Sequence, residues 1–317
     1  MSYTFQVYIA DGREHFLHGP AGHVQHTHYP LSQTVLEWME LDVKPIYDIT
    51  ERLQTDLQQV AKEKTKRLEK PILEGFALLN SYHPYFAYLR LEWTERLKQA
   101  RQQAYEKVEK LLEPAELIQL PTTLKKIQQQ LRILWHDVLD VDAFDEPIQD
   151  KLSRFYAASG SDSSRFAFQS LQLRYAPIKE GTFTEMLEVR NLFDIPDFFV
   201  RECLRRELPF RICKNCGRYF ALSRNKNAEY CERPFAVPTK TCKEIGALNQ
   251  WERKKADSPA LKAYTREYKR RFAWIRYGKT TEEIFYQWAE LAKLNRDACL
   301  RGEITIEAFL EWLKLDM

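Results

Sequence analysis

The chain has 317 residues, 44% hydrophobic and 29% charged, with only 10 Gly and 6 Cys and a formal net charge of +3. This is a globular composition, long enough for two or three domains, and scarce Gly with abundant Leu, Glu, Lys and Gln favours helix. No apolar run approaches the ~20 residues that span a bilayer, and the N-terminus lacks the basic and apolar segments of a secretory signal.

Residues 4–11, TFQVYIAD, alternate as a short strand with Phe5, Val7 and Ile9 on one face. His15, His18, His23, His26 and His28 follow. Their irregular spacing, broken by Gly19, Pro20 and Gly22, predicts an exposed loop in preference to a metal site. From Leu31 to about Leu112 the pattern is helical, with Leu53, Leu57, Val60 and Leu68 on one face. Pro45, Pro71 and Pro84 divide it into at least three helices. The segment Tyr85–Leu112 reads as one long helix striped by Leu89, Trp93, Leu97, Ala100, Ala104, Val108 and Leu111, a packing seam. Pro114 and Pro121 punctuate the next stretch, and 122–137 reads as a further helix.

The acidic run Asp137, Asp140, Asp142, Asp145 and Glu146 lacks the Gly and closing Glu of a calcium loop and reads as solvated. Ala157–Ser164 is a small, polar linker. Arg165–Tyr175 and Thr182–Phe193 read as a β-hairpin, bulged where the alternation slips between Phe168 and Leu171. Asp194 is expected to cap a helix reaching about Glu207, in which Cys203 packs as a small hydrophobe.

Four of the six cysteines, Cys213, Cys216, Cys231 and Cys242, are spaced C-x2-C-x14-C-x10-C. A clustered set in a chain otherwise poor in cysteine points to metal binding in a reducing cytoplasm. Zinc takes tetrahedral thiolates, and a C-x2-C knuckle supplies two, with Gly217 permitting the turn. Arg218–Ala221 reads as a short strand, and Cys242 opens a helical pattern. Knuckle, hairpin and ligand-bearing helix are the treble-clef layout, in which Glu232–Thr241 loops out. Four thiolates leave no position for water, so one structural Zn2+ is expected, and no catalytic metal. The motif C-K-N-C-G-R-Y-F…Y-C…T-C-K-E-I-G resembles a family of uncharacterised bacterial proteins with a C-terminal treble clef. More distantly it is similar to CGNR-type zinc fingers of bacterial transcription regulators. The likeness covers about residues 183–317 and is sharpest over 213–246. It implies the four cysteine ligands and carries over no activity; where the CGNR group has Cys-Gly-Asn-Arg, this chain has Cys242-Lys243-Glu244-Ile245.

The charge is uneven. Arg211–Lys279 holds 18 Lys/Arg against 6 Asp/Glu, while the remainder holds 30 against 39. Glu252–Lys255 and a helix from about Ala260 to Tyr277 carry most of the bias. In that helix Leu261, Tyr264, Tyr268, Phe272 and Ile275 form one stripe, and Lys262, Arg266, Lys269, Arg270 and Arg276 an adjoining basic ridge. With Arg253, Lys254 and Lys255 this is a candidate phosphate-binding surface. The bland alternative is a solvated helix face. Thr280 and Glu283 form a capping box for a helix ending at Gly302, and Thr305 starts a last helix.

The expected fold is predominantly α, of the α+β class. It divides into a helical body (1–156), a β-hairpin plus helix (165–210), a treble-clef zinc module (211–250) and a basic C-terminal helical cluster (251–317). No Ser/His/Asp set, phosphate loop or His-Glu zinc motif marks an enzyme. The function expected is nucleic-acid binding or regulation without catalysis. The alternative is a zinc-containing scaffold for a protein partner or a second copy; no membrane partner is expected.

Overall fold

The computed structural model describes residues 3–157, 164–179, 181–222, 225–235 and 237–315. The fold is predominantly helical with small antiparallel sheets, and it divides into two units. One unit holds Met1–Arg211 and Tyr219–Lys226, the other Ile212–Arg218 and Asn227–Met317. The expected linker falls outside the described residues except at its two ends.

The first unit opens with strands β1 (Tyr3–Ala10), β2 (Arg13–Pro20) and β3 (Gln25–Pro30). Asp11 and Gly12, both at positive φ, form the two-residue turn between β1 and β2. Phe5, Val7 and Ile9 are buried as the alternation requires. The histidine-rich segment is therefore not the loop expected. It is two paired strands, because period-two side chains align residues whose spacing would scatter them on a helix.

Helices α1 (Gln33–Glu40), α2 (Val43–Glu63), α3 (Glu69–Tyr82) and α4 (Phe86–Gln102) follow. Pro45 and Pro71 sit in first turns and Pro84 just ahead of α4, where a missing N–H is harmless. Contrary to the long helix expected, α4 stops at Gln102, and Ala104, Tyr105 and Lys107 take positive φ. The turn brings the Tyr105 hydroxyl onto Glu69, which also pairs with Arg101. Helix α5 (Ala115–Leu134) starts earlier than expected and carries Pro121 inside it. Burial of Leu117, Leu120, Leu124 and Leu131 along one face outweighs the broken hydrogen bond. A π turn (Trp135–Leu139) and α6 (Ile148–Ala157) complete this stretch. Asp140 is buried, accepting from the Tyr219 hydroxyl and the Asp142 amide, so the acidic run is not wholly solvated.

Strands β4 (Leu173–Lys179) and β5 (Thr182–Glu188) make the expected hairpin, but eight residues later in its first arm and with the irregularity at Pro177–Lys179. The hairpin does not stand alone. Strand β5 pairs with β1, giving one five-stranded sheet of order β3-β2-β1-β5-β4. Residues 165–210 thus share the core of the N-terminal body: Leu187 and Ile195, Phe199 and Cys203 of α7 (Asp194–Arg205) are buried in it. Strands β6 (Phe210–Ile212) and β7 (Tyr219–Ala221) form a two-stranded ribbon.

A polar cluster lies inside this core. Glu14 is fully buried, and its Oε2 accepts from the Thr34 amide and, at 2.5 Å, from the Thr34 hydroxyl, which meets the Tyr85 hydroxyl at 2.8 Å. Burial pushes the Glu14 carboxyl up to about 8. His83 donates from Nε2 to the Thr34 carbonyl and accepts the Tyr85 amide at Nδ1, and burial holds it down to about 3.

The second unit contains strands β8 (Pro234–Phe235) and β9 (Val237–Thr241) and helices α8 (Cys242–Asp257), α9 (Pro259–Arg276), α10 (Glu282–Leu300) and α11 (Ile306–Lys314). The segment expected to loop out between the last two cysteines is a short hairpin, β8 on β9. Helices α9 to α11 close on Phe285, Trp288, Ala292, Phe309 and Leu313. Helix α10 is capped by the Thr281 hydroxyl, which accepts the Ile284 amide; the expected cap was Thr280. Thr305 caps α11 as expected.

Candidate metal centre

The cysteine site is built from three local pieces of the second unit. The first is the knuckle. The Gly217 amide bonds the Cys213 carbonyl, and the Cys213 amide the Arg218 carbonyl, with Gly217 at φ 72°. That left-handed turn is open to glycine at little cost and places the Cys213 and Cys216 thiols together. The second is Cys231, whose amide points at the Cys213 sulfur at 3.4 Å. The third is the start of α8. Thr241 caps it in a capping box with Glu244, which fixes the first turn and with it Cys242.

The four sulfurs lie within 4.8 Å of one another, and Cys216 and Cys231 are 3.7 Å apart. Thiolates on a tetrahedral zinc, each ~2.3 Å from the ion, stand ~3.8 Å apart along every edge. All six cysteines of the chain are free thiols. The spacing therefore fits a metal held by four sulfurs.

The electrostatics agree with that fit. Burial works against a charge on Cys213, but the backbone amides of Cys216, Cys231 and Asn215 outweigh it and bring the thiol down to about 7. Burial raises Cys231, and the neighbouring Cys213 and Cys216 raise it further. Cys242 is raised by burial in spite of its bond from Asn215. The Cys213 thiolate forms readily, whereas Cys231 and Cys242 resist a further negative charge in a small volume. A divalent cation removes that conflict.

Sequence reasoning missed the polar groups around the sulfurs. Asn215, inside the knuckle and buried, donates from Nδ2 to the Cys242 sulfur at 3.3 Å. Its Oδ1 accepts from Asn249 at 3.0 Å, and its carbonyl from Arg253 at 3.1 Å. Cys242, Asn249 and Arg253 are seven and four residues apart on one face of α8, so one knuckle residue registers two turns and more of the helix. Gly246 completes the seating, because a β-carbon there would lie 2.2 Å from the Tyr230 ring. The helical spacing of Asn249 and Arg253 behind Cys242 was the signal available; nothing in it said which helix face meets the knuckle.

The basic residues divide. Lys262, Arg266, Lys269 and Arg276 are exposed on α9 and make no ion pair among the described residues. Arg270 is exposed but bonded to Glu267, and it lies over the Trp274 ring. Arg253 is exposed with one nitrogen committed to the knuckle. The side chains of Lys254 and Lys255 lie outside the described residues. Arg271, which the stripe did not single out, is buried: it bonds Glu267 and the Leu313 and Leu315 carbonyls and covers Trp288, tying α9 to α11.

Residues 170–314 match a family of unknown function, DUF6076. The match runs from just before β4 to the end of α11 and includes all four cysteines. No curated protein and no solved structure matches the chain. The expected likeness to an uncharacterised family is met in part, by this match over 170–314; the CGNR likeness has no counterpart in these comparisons.

Proposed function

We propose that the chain is a zinc-stabilised, non-enzymatic nucleic-acid-binding protein of the reducing cytoplasm, in which Zn2+ on Cys213, Cys216, Cys231 and Cys242 is structural. Zinc is the ion that four thiolates at tetrahedral spacing suit best, and the closed set leaves no place for a substrate.

The observation that carries the binding reading is the exposed face of α9. At ~100° per residue, Lys262, Arg266, Lys269, Arg270 and Arg276 fall within an arc of roughly 120°. The buried Leu261, Ala263, Glu267 and Arg271 lie outside that arc. From Lys262 to Arg276 the row is about 21 Å long at ~1.5 Å per residue. Four of these cations, all but the Glu267-bound Arg270, are unpaired among the described residues, and a row of this length can follow several successive phosphates, contacts that give affinity without sequence readout.

Fluorescence anisotropy with a labelled duplex and a labelled single strand tests the reading. With about four phosphates neutralised, log K should fall against log salt with a slope near −4 on duplex. Lys262→Glu with Lys269→Glu and Arg276→Glu should abolish binding and leave zinc content unchanged. Absence of binding to both probes at low ionic strength overturns the proposal.

A second reading, a self-associating scaffold, draws on Ile284, Leu291 and Leu294. These are exposed apolar residues along one side of α10. Light scattering on the eluted protein separates the two: a stable dimer dissociated by Leu291→Glu and Leu294→Glu would favour the scaffold.

A further inference from the structure

The histidines at the N-terminus have no part in the cysteine module or the basic ridge. In the antiparallel register Tyr8 stands opposite His15, His15 opposite His28, and Leu17 opposite His26. With side chains alternating along each strand, Tyr8, His15, His26 and His28 share one face of the sheet. Phe5, Val7, Ile9, Glu14 and Phe16 occupy the other, buried in the core. The His15 and His26 ring centres are 5.1 Å apart, His15 and His28 5.9 Å, and His26 and His28 6.3 Å.

The central ring is held in place. His15 stacks on Tyr8 at 4.7 Å with the planes 3° apart. Its Nε2 lies 3.2 Å from the Ala10 carbonyl, which can only accept, so the proton of the neutral ring is on Nε2. The lone pair is then on Nδ1, 2.9 Å from Nε2 of His26. A ring nitrogen fixed by donating its other N–H to a backbone carbonyl is the usual arrangement of a metal-bound imidazole. Three imidazoles on one tetrahedral ion, with metal–nitrogen distances of ~2.0–2.1 Å, place their ring centres about 5 Å apart. The widest side of the observed triangle exceeds this by about 1.3 Å, and its two outer members, His26 and His28, are exposed and lie outside the core.

We propose that His15, His26 and His28 form a second metal site, on the outer face of the N-terminal sheet, for a borderline divalent ion of the Zn2+, Co2+, Ni2+ or Cu2+ class. Imidazole suits these ions, and a site with no carboxylate or carbonyl oxygen among its ligands does not suit Mg2+ or Ca2+. On binding, the proton between His26 and His15 moves to Nδ1 of His26, so the ring stays neutral and no charge is buried. Three protein ligands leave the fourth position to water, in contrast to the closed cysteine set. The proposal is independent of the nucleic-acid reading.

The test is a zinc titration of the full chain that already carries one zinc per molecule. Calorimetry should find one further equivalent, and imidazole proton resonances of His15, His26 and His28 should shift together at that stoichiometry. His15→Gln and His26→Gln should each weaken the second event by about tenfold or more, as loss of one of three ligands requires. His23→Gln, in the exposed turn between β2 and β3, should leave it unchanged. If the wild-type chain takes no second equivalent, or takes it without moving the His15 and His26 resonances, the proposal is wrong, whether or not the variants fold.

Discussion

The body of the first unit and the cysteine module differ in what they bury. Among the described residues the body buries 46 side chains in one apolar cluster, from Phe5 to Phe210. Between Ile212 and Asp257, leaving aside Tyr219–Lys226, the described residues add none to any apolar cluster. The buried side chains there are Cys213, Asn215, Cys231 and Cys242. Burying a large apolar side chain contributes ~1.5–3 kcal/mol, and the body sums many such terms. A structural zinc contributes ~10–16 kcal/mol in small zinc peptides. With the proposed zinc on the four cysteines, that single term would have no apolar competitor in the module, and on this proposal the fold of one region is written in its hydrophobic pattern and that of the other in its ligands.

The largest expected effect tests that division directly. Cys213→Ser or Cys231→Ser should remove about one zinc per chain by elemental analysis. In hydrogen exchange, amides of 213–218 and 227–257 should lose protection while β1, β2 and β5 keep theirs. A module that stays protected without metal breaks the comparison. The converse change is Trp93→Ala. Trp93 is fully buried and stacks on Phe76 at 5.5 Å. Its truncation should destabilise the body by ~3–5 kcal/mol, read from denaturant melts, with zinc content unchanged.

A third effect belongs to the body alone and depends on pH. The Glu14 carboxyl is raised from its ordinary 4.5 to about 8, so the folded state holds its proton more tightly than the unfolded chain. That stability is fully present below about 4.5 and is lost as pH rises through about 8. His83 is lowered from 6.5 to about 3, so its contribution is present above 6.5 and is lost as pH falls toward 3. The two oppose each other below 6.5, and between 6.5 and 8 Glu14 acts alone. Stability should therefore fall across that window, by an amount on the order of a few kcal/mol in all. Glu14→Gln, which keeps the shape and cannot ionise, should flatten the slope. An unchanged slope in the variant would show that Glu14 is not its origin.

What the sequence disclosed follows the same division. Local signals were legible: the β1 alternation, the proline-led helix starts, the Thr305 cap, and the four cysteines whose spacing foretold their meeting. Long-range pairings were not. Nothing local to Thr182–Glu188 says that it lies beside β1, a partner about 180 residues earlier, so the hairpin looked self-sufficient. The histidine spacing is irregular on a helix and regular only on paired strands, whose pairing no local signal announces. Gly19 and Gly22 exclude a helix, but they only frame the turn between β2 and β3. Pro121 misled for a related reason: propensity is a weak prior, and α5 keeps its helix by packing. Around the cysteines, Asn215 escaped notice because its role depends on which face of α8 meets the knuckle.

The smallest expected effect is also the finest test of the comparison, because it applies one perturbation to a helix with a ligand and to a helix without one. Thr241 caps α8 and Thr305 caps α11 through the same bond, a backbone amide three residues on donating to the hydroxyl. Replacing either by Ala should cost about 1 kcal/mol. In α11 that loss reaches no cysteine of the cluster, so Thr305→Ala should lower the thermal midpoint of the C-terminal helices slightly and leave zinc affinity as it was. In α8 the first turn carries Cys242, and fraying there withdraws a ligand. Thr241→Ala should therefore weaken zinc binding, by up to about tenfold for each 1.4 kcal/mol transmitted, with little change in stability at saturating zinc. Competition with a chromogenic chelator reads the affinity and a melt in excess zinc reads the rest. Equal zinc affinities in the two variants would mean that α8 is held by contacts other than its sulfur, and the division between a packed body and a metal-held module would have to be redrawn.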